Sequence, residues 1–196
     1  MKIYTARHGQ TEWNLEGRMQ GHIDIHLNDT GLSQAGKLAE RFRNIPIGKI
    51  YSSDLSRALE TAKIINEFHG VEIVIEPALR ELNYGEYEGR LLSEVGELFN
   101  ERQRQGMGMP GGEELEIFFK RVHNFLDKVT SSHDEDILII GHGGTIRAVL
   151  CYFLGFSTKH FSSFGIGNTS VHCFERGENE QSYRVIIDND TSHLEG

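Results

Sequence analysis

Short apolar runs alternate with longer segments in which apolar residues recur every three to four positions. The short runs are typical of buried strands, and the segments with spaced apolar residues are typical of amphipathic helices. Their alternation predicts an α/β fold with a mostly parallel sheet. The predicted strands are residues 2–6, 49–53, 71–76 and 136–140. The predicted helices are residues 30–42, with Thr30 as N-cap and Leu32 on the apolar face, 54–68, 113–131 and 144–155.

Two segments depart from this alternation. Residues 83–112 contain a predicted helix followed by a glycine-rich loop, which indicates a cap or lid insertion over one end of the sheet. Residues 169–175 and 182–188 flank a polar turn and predict an antiparallel hairpin at the sheet edge. Without repeats or a linker, the 196 residues are expected to form a single domain, 1–196.

Composition narrows the possible partners. The net charge of −9 argues against nucleic acid and anionic membranes, so an anionic ligand would need a local cationic pocket. Two cysteines lie in apolar runs, and no run reaches the length of a signal peptide core or a membrane span. We therefore expect a cytoplasmic protein, while the oligomeric state is not readable from the sequence.

The same His-Gly pair follows two of the predicted strands. His8-Gly9, preceded by Arg7, ends the first strand, and His142-Gly143 ends the strand at 136–140. Ligands of open α/β sheets bind at the carboxyl ends of the strands, so both histidines are expected at one crevice. A single histidine at such a position is more often satisfied within its own turn, but two of them favour a site.

Two further polar residues fall near the same edge. Arg57 lies in the first turn of a predicted helix, where a cation is unfavourable unless an anion binds beside it. The alternative is an exposed arginine paired with Asp54 or Glu60. Glu81 follows the strand at 71–76, and its alternative is a solvated carboxylate.

Together these side chains supply the groups needed for phosphoryl transfer. Two arginines can bind phosphate oxygens, one imidazole can attack phosphorus, a second can donate to an equatorial oxygen, and a carboxyl can protonate the leaving oxygen. A metal site is not expected, because His22 and His26 lie in an alternating, non-helical stretch without a metal-binding motif. The candidate catalytic residues are Arg7, His8, Arg57, Glu81 and His142.

Five motifs resemble the histidine phosphatase superfamily, which includes cofactor-dependent phosphoglycerate mutases and acid phosphatases. They are ARHGQTEWN (6–14), MQG (19–21), YSSDLSRALETA (51–62), ELNYGEYEG (81–89) and GHGG (141–144). The resemblance implies a three-layer α/β/α sandwich and no cofactor. It implies a nucleophile at His8, a general acid and base at Glu81, and a phosphoryl group held by Arg7, Arg57 and His142. Phosphate or substrate binding is implied for Asn14, Gln20, Gly21 and Gly143.

The substrate class remains open at this point. The short interval between Glu81 and His142 does not resemble the mutase pattern, which favours a phosphatase acting on small phosphate monoesters. The segments at 162–175 and 189–194 resemble α-ribazole phosphate, phosphoserine and broad-specificity phosphatases. A phosphoglycerate mutase is the first alternative. The second is a non-catalytic module that binds a phosphorylated ligand, although both His8 and Glu81 are present.

Overall fold

The computed structural model describes residues 1–132, 135–177 and 183–195. Its strands are β1 (Lys2–Arg7), β2 (Lys49–Ser52), β3 (Ile73–Ile75), β4 (Ile137–Gly141), β5 (Val171–Arg176) and β6 (Tyr183–Asp190). Its helices are α1 (Glu12–Glu16), α2 (Asp29–Phe42), α3 (Ser56–Asn66), α4 (Leu92–Arg104), α5 (Leu115–Ser132) and α6 (Gly143–Leu154).

The strands form one mixed sheet in the order β3-β2-β4-β1-β5-β6. The first four are parallel, whereas β5 runs antiparallel to both β1 and β6, which confirms the mostly parallel sheet and the hairpin at its edge. Ser182, the first residue of the second predicted hairpin strand, lies outside the described residues. In the register of β1 and β4, Arg7 is opposite Gly141, so the next residues, His8 and His142, leave the sheet side by side.

Alternate residues of each central strand pack into two separate cores. Ile3 of β1 contributes to a core with α5 and α6, whereas Tyr4 and Ala6 contribute to a core with α2 and α3. Cys151 and Cys173 are buried, one in each core. Helices therefore cover both faces of the sheet, and the expected three-layer α/β/α arrangement is confirmed.

The start of α2 corrects one prediction. Asn28 rather than Thr30 is the N-cap, since its side chain accepts a hydrogen bond from the Gly31 amide at 2.9 Å. The apolar face is also rotated, and Leu32 is 39 % exposed. Gly31 takes the inward position because its backbone packs on Gln10, where a Cβ atom would lie 2.0 Å from the carbonyl oxygen.

Helix α1 was not predicted from the sequence. It is five residues long and has no apolar periodicity, so the hydrophobic pattern does not predict it. It is instead fixed by a capping box, in which Thr11 accepts from the Asn14 amide and Asn14 accepts from the Thr11 amide. The helix places Trp13 and Asn14 beside the ends of β1 and β4.

Candidate active site

The ends of β1 and β4 bring the two histidines together. The ring centroids of His8 and His142 are 5.1 Å apart, with an angle of 61° between the ring planes. Both side chains are buried. The expectation that the repeated His-Gly turns meet at one crevice agrees with this placement.

A cavity of about 380 Å³ opens at this edge of the sheet. All the residues proposed from the sequence line it, except His142. The segment predicted as an insertion contributes Leu92, Phe99 and Asn100 through α4. The sequence-predicted residues in the lining are Arg7, His8, Asn14, Gln20, Gly21, Arg57, Glu81 and Gly143.

The imidazole of His8 is oriented by its own turn. Its Nδ1 lies 2.6 Å from the Gly9 carbonyl oxygen, an acceptor, so Nδ1 carries the proton and Nε2 keeps its lone pair. Burial lowers the pKa of His8 well below the usual value, and the nearby charges of Arg57 and Arg7 lower it further. His8 is therefore a neutral imidazole with a free Nε2 at neutral pH.

Arg57 is fully buried, which contradicts the alternative of an exposed surface arginine. Asp54 pairs with Arg80 at 2.5 Å instead. The Arg57 Nη1 and Nη2 atoms donate to the carbonyl oxygens of Ile23 and Gly21, at 2.9 and 2.8 Å. Burial lowers the pKa of Arg57 to about 10, so it stays charged at neutral pH. Because each terminal nitrogen carries two hydrogens, one N–H on each remains for a ligand.

Arg7 has an unused buried donor. Its Nη1 donates to the Ile166 carbonyl oxygen at 2.8 Å, whereas its Nε is buried without a partner among the described residues. A Cβ atom built on Gly143 would lie 3.9 Å from this Nε, so the donor faces the start of α6. Burial lowers the pKa of Arg7, although the Glu81 carboxylate opposes that effect. An unpartnered guanidinium N–H at this depth is suited to an anion.

Glu81 is held at the N-terminus of α6. Its Oε2 accepts from the Gly144 amide at 3.0 Å, and its Oε1 accepts from the Leu82 amide at 2.8 Å. Its carbonyl oxygen contacts the His22 Nε2 at 2.8 Å and accepts from the Arg121 Nη2 at 2.9 Å. His22 lies in a loop, as predicted, and its contact with the Glu81 carbonyl oxygen contributes to the position of Glu81.

His142 lies behind the cavity wall. Its Nδ1 accepts from the Arg57 Nε at 3.2 Å, and its Nε2 lies 2.9 Å from the Ser53 Oγ. Burial and the charge of Arg57 lower its pKa, so the ring is neutral with its proton on Nε2. Both nitrogens are therefore engaged within the protein, and direct donation to a phosphoryl oxygen requires one of these contacts to open.

The remaining predicted residues present polar groups to the cavity. The Asn14 Oδ1 accepts from the Thr11 amide and from the Asn168 Nδ2, at 3.1 and 3.2 Å, which leaves the Asn14 Nδ2 available to donate. The Gln20 Oε1 is buried without a partner among the described residues. Gly21 contributes its carbonyl oxygen to Arg57 and adopts a left-handed φ of 54°.

Sequence reasoning missed Arg147, a cationic lining residue on α6. It lies four residues after Gly143, and residues four apart share one face of a helix. That spacing was the signal that could have found it. The other lining residues that were not predicted are Trp13, Gly17, Arg18, Met19, Tyr84, Leu92, Phe99, Asn100, Gly144, Ser162 and Ile166.

Two kinds of feature are absent from the described ranges. In residues 1–132, 135–177 and 183–195, no three His, Cys, Asp or Glu side chains converge as metal ligands do. Within the same ranges, no helix has both the length and the apolar character required to cross a bilayer.

Comparison with known proteins gives consistent matches. The model of the histidine phosphatase superfamily (branch 1) matches residues 3–189. A putative phosphoserine phosphatase 2 of Hydrogenobacter thermophilus is 34 % identical over 95 % of this chain and 94 % of its own length. The phosphoglycerate mutase-like protein 4 of Arabidopsis thaliana is 35 % identical, over 99 % and 87 %. A solved Entamoeba histolytica phosphoserine phosphatase in complex with 3-phosphoglyceric acid has a TM-score of 0.86 at 28 % identity, with 98 % of each chain covered. The chain is thus an enzyme of the histidine phosphatase superfamily.

Proposed function

We propose that this enzyme hydrolyses small phosphate monoesters through a covalent phosphohistidine on His8. The observation that carries the proposal is the His8 ring. It is neutral, its Nδ1 is tied to the Gly9 carbonyl, and its Nε2 is free at a cavity that four arginines line. A neutral imidazole in a cationic cavity is suited to attack an anionic phosphorus centre.

The phosphoryl group is proposed to bind between Arg7 and Arg57. The unpartnered Nε of Arg7 and the remaining terminal N–H groups of Arg57 supply charge-assisted donors. Asn14 supplies its Nδ2, and Gly143 lies at the N-terminus of α6, whose dipole favours an anion. Gln20 and Gly21 also line the cavity.

The reaction then takes two steps. In the first, the His8 Nε2 attacks phosphorus, the ester P–O bond breaks, and Glu81 transfers its proton to the leaving oxygen. In the second, the Glu81 carboxylate removes a proton from water as the water oxygen attacks phosphorus. The P–N bond then breaks, inorganic phosphate forms, and His8 and Glu81 return to their starting states. No cofactor takes part in either step.

His142 is proposed to stabilise the phosphoryl group indirectly, because it positions Arg57. The Arg57 Nε donates to the His142 Nδ1, so the ring fixes the plane of the guanidinium group. Ser53 in turn holds the opposite ring nitrogen at 2.9 Å. Direct donation by His142 to a phosphoryl oxygen stays a prediction, and it would break the contact with Ser53.

A phosphoglycerate mutase is the alternative activity, in keeping with the name of the Arabidopsis relative. A mutase must hold a phosphorylated acid for a second transfer, which requires additional cations. The arginines and lysines between Glu81 and His142 do not line the cavity: Arg90, Arg102, Arg104, Lys120, Arg121 and Lys128. The interval between Glu81 and His142 therefore supplies no cation for such a transfer, which supports hydrolysis. Arg18 and Arg147 do line the cavity, so the assay below includes the mutase reaction. A non-catalytic module is disfavoured by the orientation of His8.

The test is phosphate release from a panel of monoesters, with phosphoserine, 3-phosphoglycerate, α-ribazole phosphate and p-nitrophenyl phosphate included. We expect turnover of small esters and, in rapidly quenched reactions, a single phosphate on His8 by mass spectrometry. Isomerisation of phosphoglycerates that depends on 2,3-bisphosphoglycerate would instead identify a mutase. Tight ester binding without turnover would identify a binding module, and a phosphorylated residue other than His8 would overturn the mechanism.

A further inference from the structure

We propose that Arg147 forms a second anion subsite, so that the preferred substrate carries a carboxylate or another anionic group in addition to the phosphate. The inference rests on the proposed function, because it assigns Arg7 and Arg57 to the phosphoryl group. It concerns Arg147, a cavity-lining arginine to which the proposed function assigns no role.

Arg147 is anchored by one nitrogen only. Its Nε donates to the Phe164 carbonyl oxygen at 2.8 Å, and its Cζ lies 5.6 Å from the centre of the Phe161 ring. Among the described residues, no carboxylate oxygen lies within 4.0 Å of its nitrogens, and its Nη1 and Nη2 make no hydrogen bond. The guanidinium is thus fixed in position while its two terminal groups remain available at the cavity wall.

The side chains that line the cavity also carry an excess of positive charge. Within the part of the chain that the structure describes, its lining includes four arginines but a single carboxylate, Glu81. Arg18 is neutralised by an ion pair with Glu16 and donates to the Gly89 carbonyl oxygen. With Arg7 and Arg57 committed to a phosphate dianion, the charge of Arg147 is left without a counterion, and it repels Arg7 enough to contribute to the lowered pKa of that residue.

The helix sets the distance between the two subsites. Arg147 follows Gly143 by four residues of α6, so it lies on the same face of the helix and about 6 Å further along its axis. A carboxylate three or four bonds from phosphorus spans such a distance. The planar guanidinium can bind both oxygens of that carboxylate at once, a geometry that a lysine ammonium cannot reproduce.

The first experiment measures binding without turnover. Calorimetry compares 4-phosphonobutyrate with butylphosphonate, which lacks the carboxylate, and with 1,3-propylenediphosphonate, which replaces it by a second phosphonate. We expect the wild-type enzyme to prefer one or both of the ligands with an anionic tail over butylphosphonate by about ten- to a hundredfold. The Arg147→Gln variant should lose that preference, and Arg147→Lys should retain only part of it. Whichever tail is bound more tightly identifies the second anion.

Three controls keep the outcomes separate. Arg104→Gln removes an equivalent charge at the exposed end of α4, outside the cavity, and should keep the preference. Arg147→Gln also loses the hydrogen bond to the Phe164 carbonyl oxygen. Thermal melting shows whether this loss lowers the stability of the variant. Turnover supplies the third control: the ratio of kcat/KM for phosphoserine to that for phosphoethanolamine should fall by a similar factor in Arg147→Gln.

The two hypotheses fail in different ways. If no phosphonate binds, the phosphoryl site itself is wrong and so is the proposed function. If all three bind equally to the wild type, the phosphoryl site stands and the second subsite is refuted. If folded Arg147→Gln keeps the wild-type preference, the second anion is recognised by another residue and the assignment to Arg147 is overturned.

Discussion

Replacement of Gly144 by alanine tests the proposed acid without altering any titratable group. A Cβ atom at this position would lie 2.1 Å from the Glu81 Oε1 and 3.2 Å from the Phe161 Cζ. The backbone of Gly144 is helical, so alanine itself is not strained there. The carboxyl group is the end of a flexible side chain, and we expect it to move while the helix stays in place.

The size of the effect follows from that geometry. Real Cβ atoms do not approach other heavy atoms within 3.0 Å, so the Glu81 oxygen must retreat by at least ~0.9 Å. The hydrogen bond from the Gly144 amide to the Glu81 Oε2, now 3.0 Å, is lost or lengthened as a result. A displacement of about 1 Å can reduce a rate by about 10²-fold, and general acid catalysis contributes about 10²–10⁴-fold. We therefore expect Gly144→Ala to slow alkyl phosphates by about a hundredfold.

The assay separates the two chemical steps. A p-nitrophenolate leaving group needs no proton, so the pre-steady-state burst of p-nitrophenol should keep a rate constant within about tenfold of the wild type. Phosphorylation of His8 by an alkyl ester should show the full loss. Gly36→Ala is the matched control: a methyl group there would have no neighbour within 4 Å, so activity should be unchanged while the helix gains stability. Equal slowing with both leaving groups, or no slowing with either, would refute the assignment of Glu81 as the acid.

Further predictions concern the nucleophile, the phosphoryl site and pH. His8→Ala should abolish turnover in a folded protein, as measured by phosphate release and circular dichroism. Arg57→Ala should lower kcat/KM by at least about tenfold to a hundredfold, with partial rescue in Arg57→Lys, and it should weaken the rise in Tm that inorganic phosphate gives the wild type. The pKa of His8 is lowered in the folded state, so its protonation favours unfolding. Its contribution to stability is complete above a pH of about 6.5 and falls by up to about 1.4 kcal/mol per pH unit as the pH drops towards the folded pKa. Urea unfolding at several pH values should show a smaller pH dependence in His8→Gln.

The sequence was informative where the chemistry depends on the order of elements along the chain. Parallel strands present their carboxyl ends at one edge, so the positions of His8 and His142 after two strands were enough to bring them together. The same reasoning predicted that Arg57 and Glu81 lie at this edge of the sheet, and both residues line the cavity. These placements require only that the strands pair, not that any side chain adopt a particular rotamer.

The sequence was less informative where a role depends on which face of an element turns inward. Taken alone, the position of Arg57 in the first turn of a helix does not distinguish an anion ligand from an exposed arginine, and only the packing of α3 shows that the side chain is fully buried. The resemblance implies that His142 holds the phosphoryl group, and it does not reveal that hydrogen bonds to Arg57 and Ser53 engage both ring nitrogens; direct donation by His142 stays a prediction. Arg147 has no motif of its own, and its importance depends on the lack of a carboxylate beside it among the described residues, which no local pattern reveals.

The placement of the arginines also explains how an acidic chain can bind anions. A net charge of −9 gives an overall field that repels phosphate esters, so attraction must act at short range. Inside the cavity, burial disfavours the charged form of Arg7 and Arg57 and lowers the pKa of both. Backbone carbonyl oxygens satisfy part of their hydrogen-bonding capacity, and the Arg7 Nε remains buried without a partner among the described residues. A buried cation with an unused donor is costly until an anion arrives, so binding of the phosphoryl group relieves a cost that folding has already created.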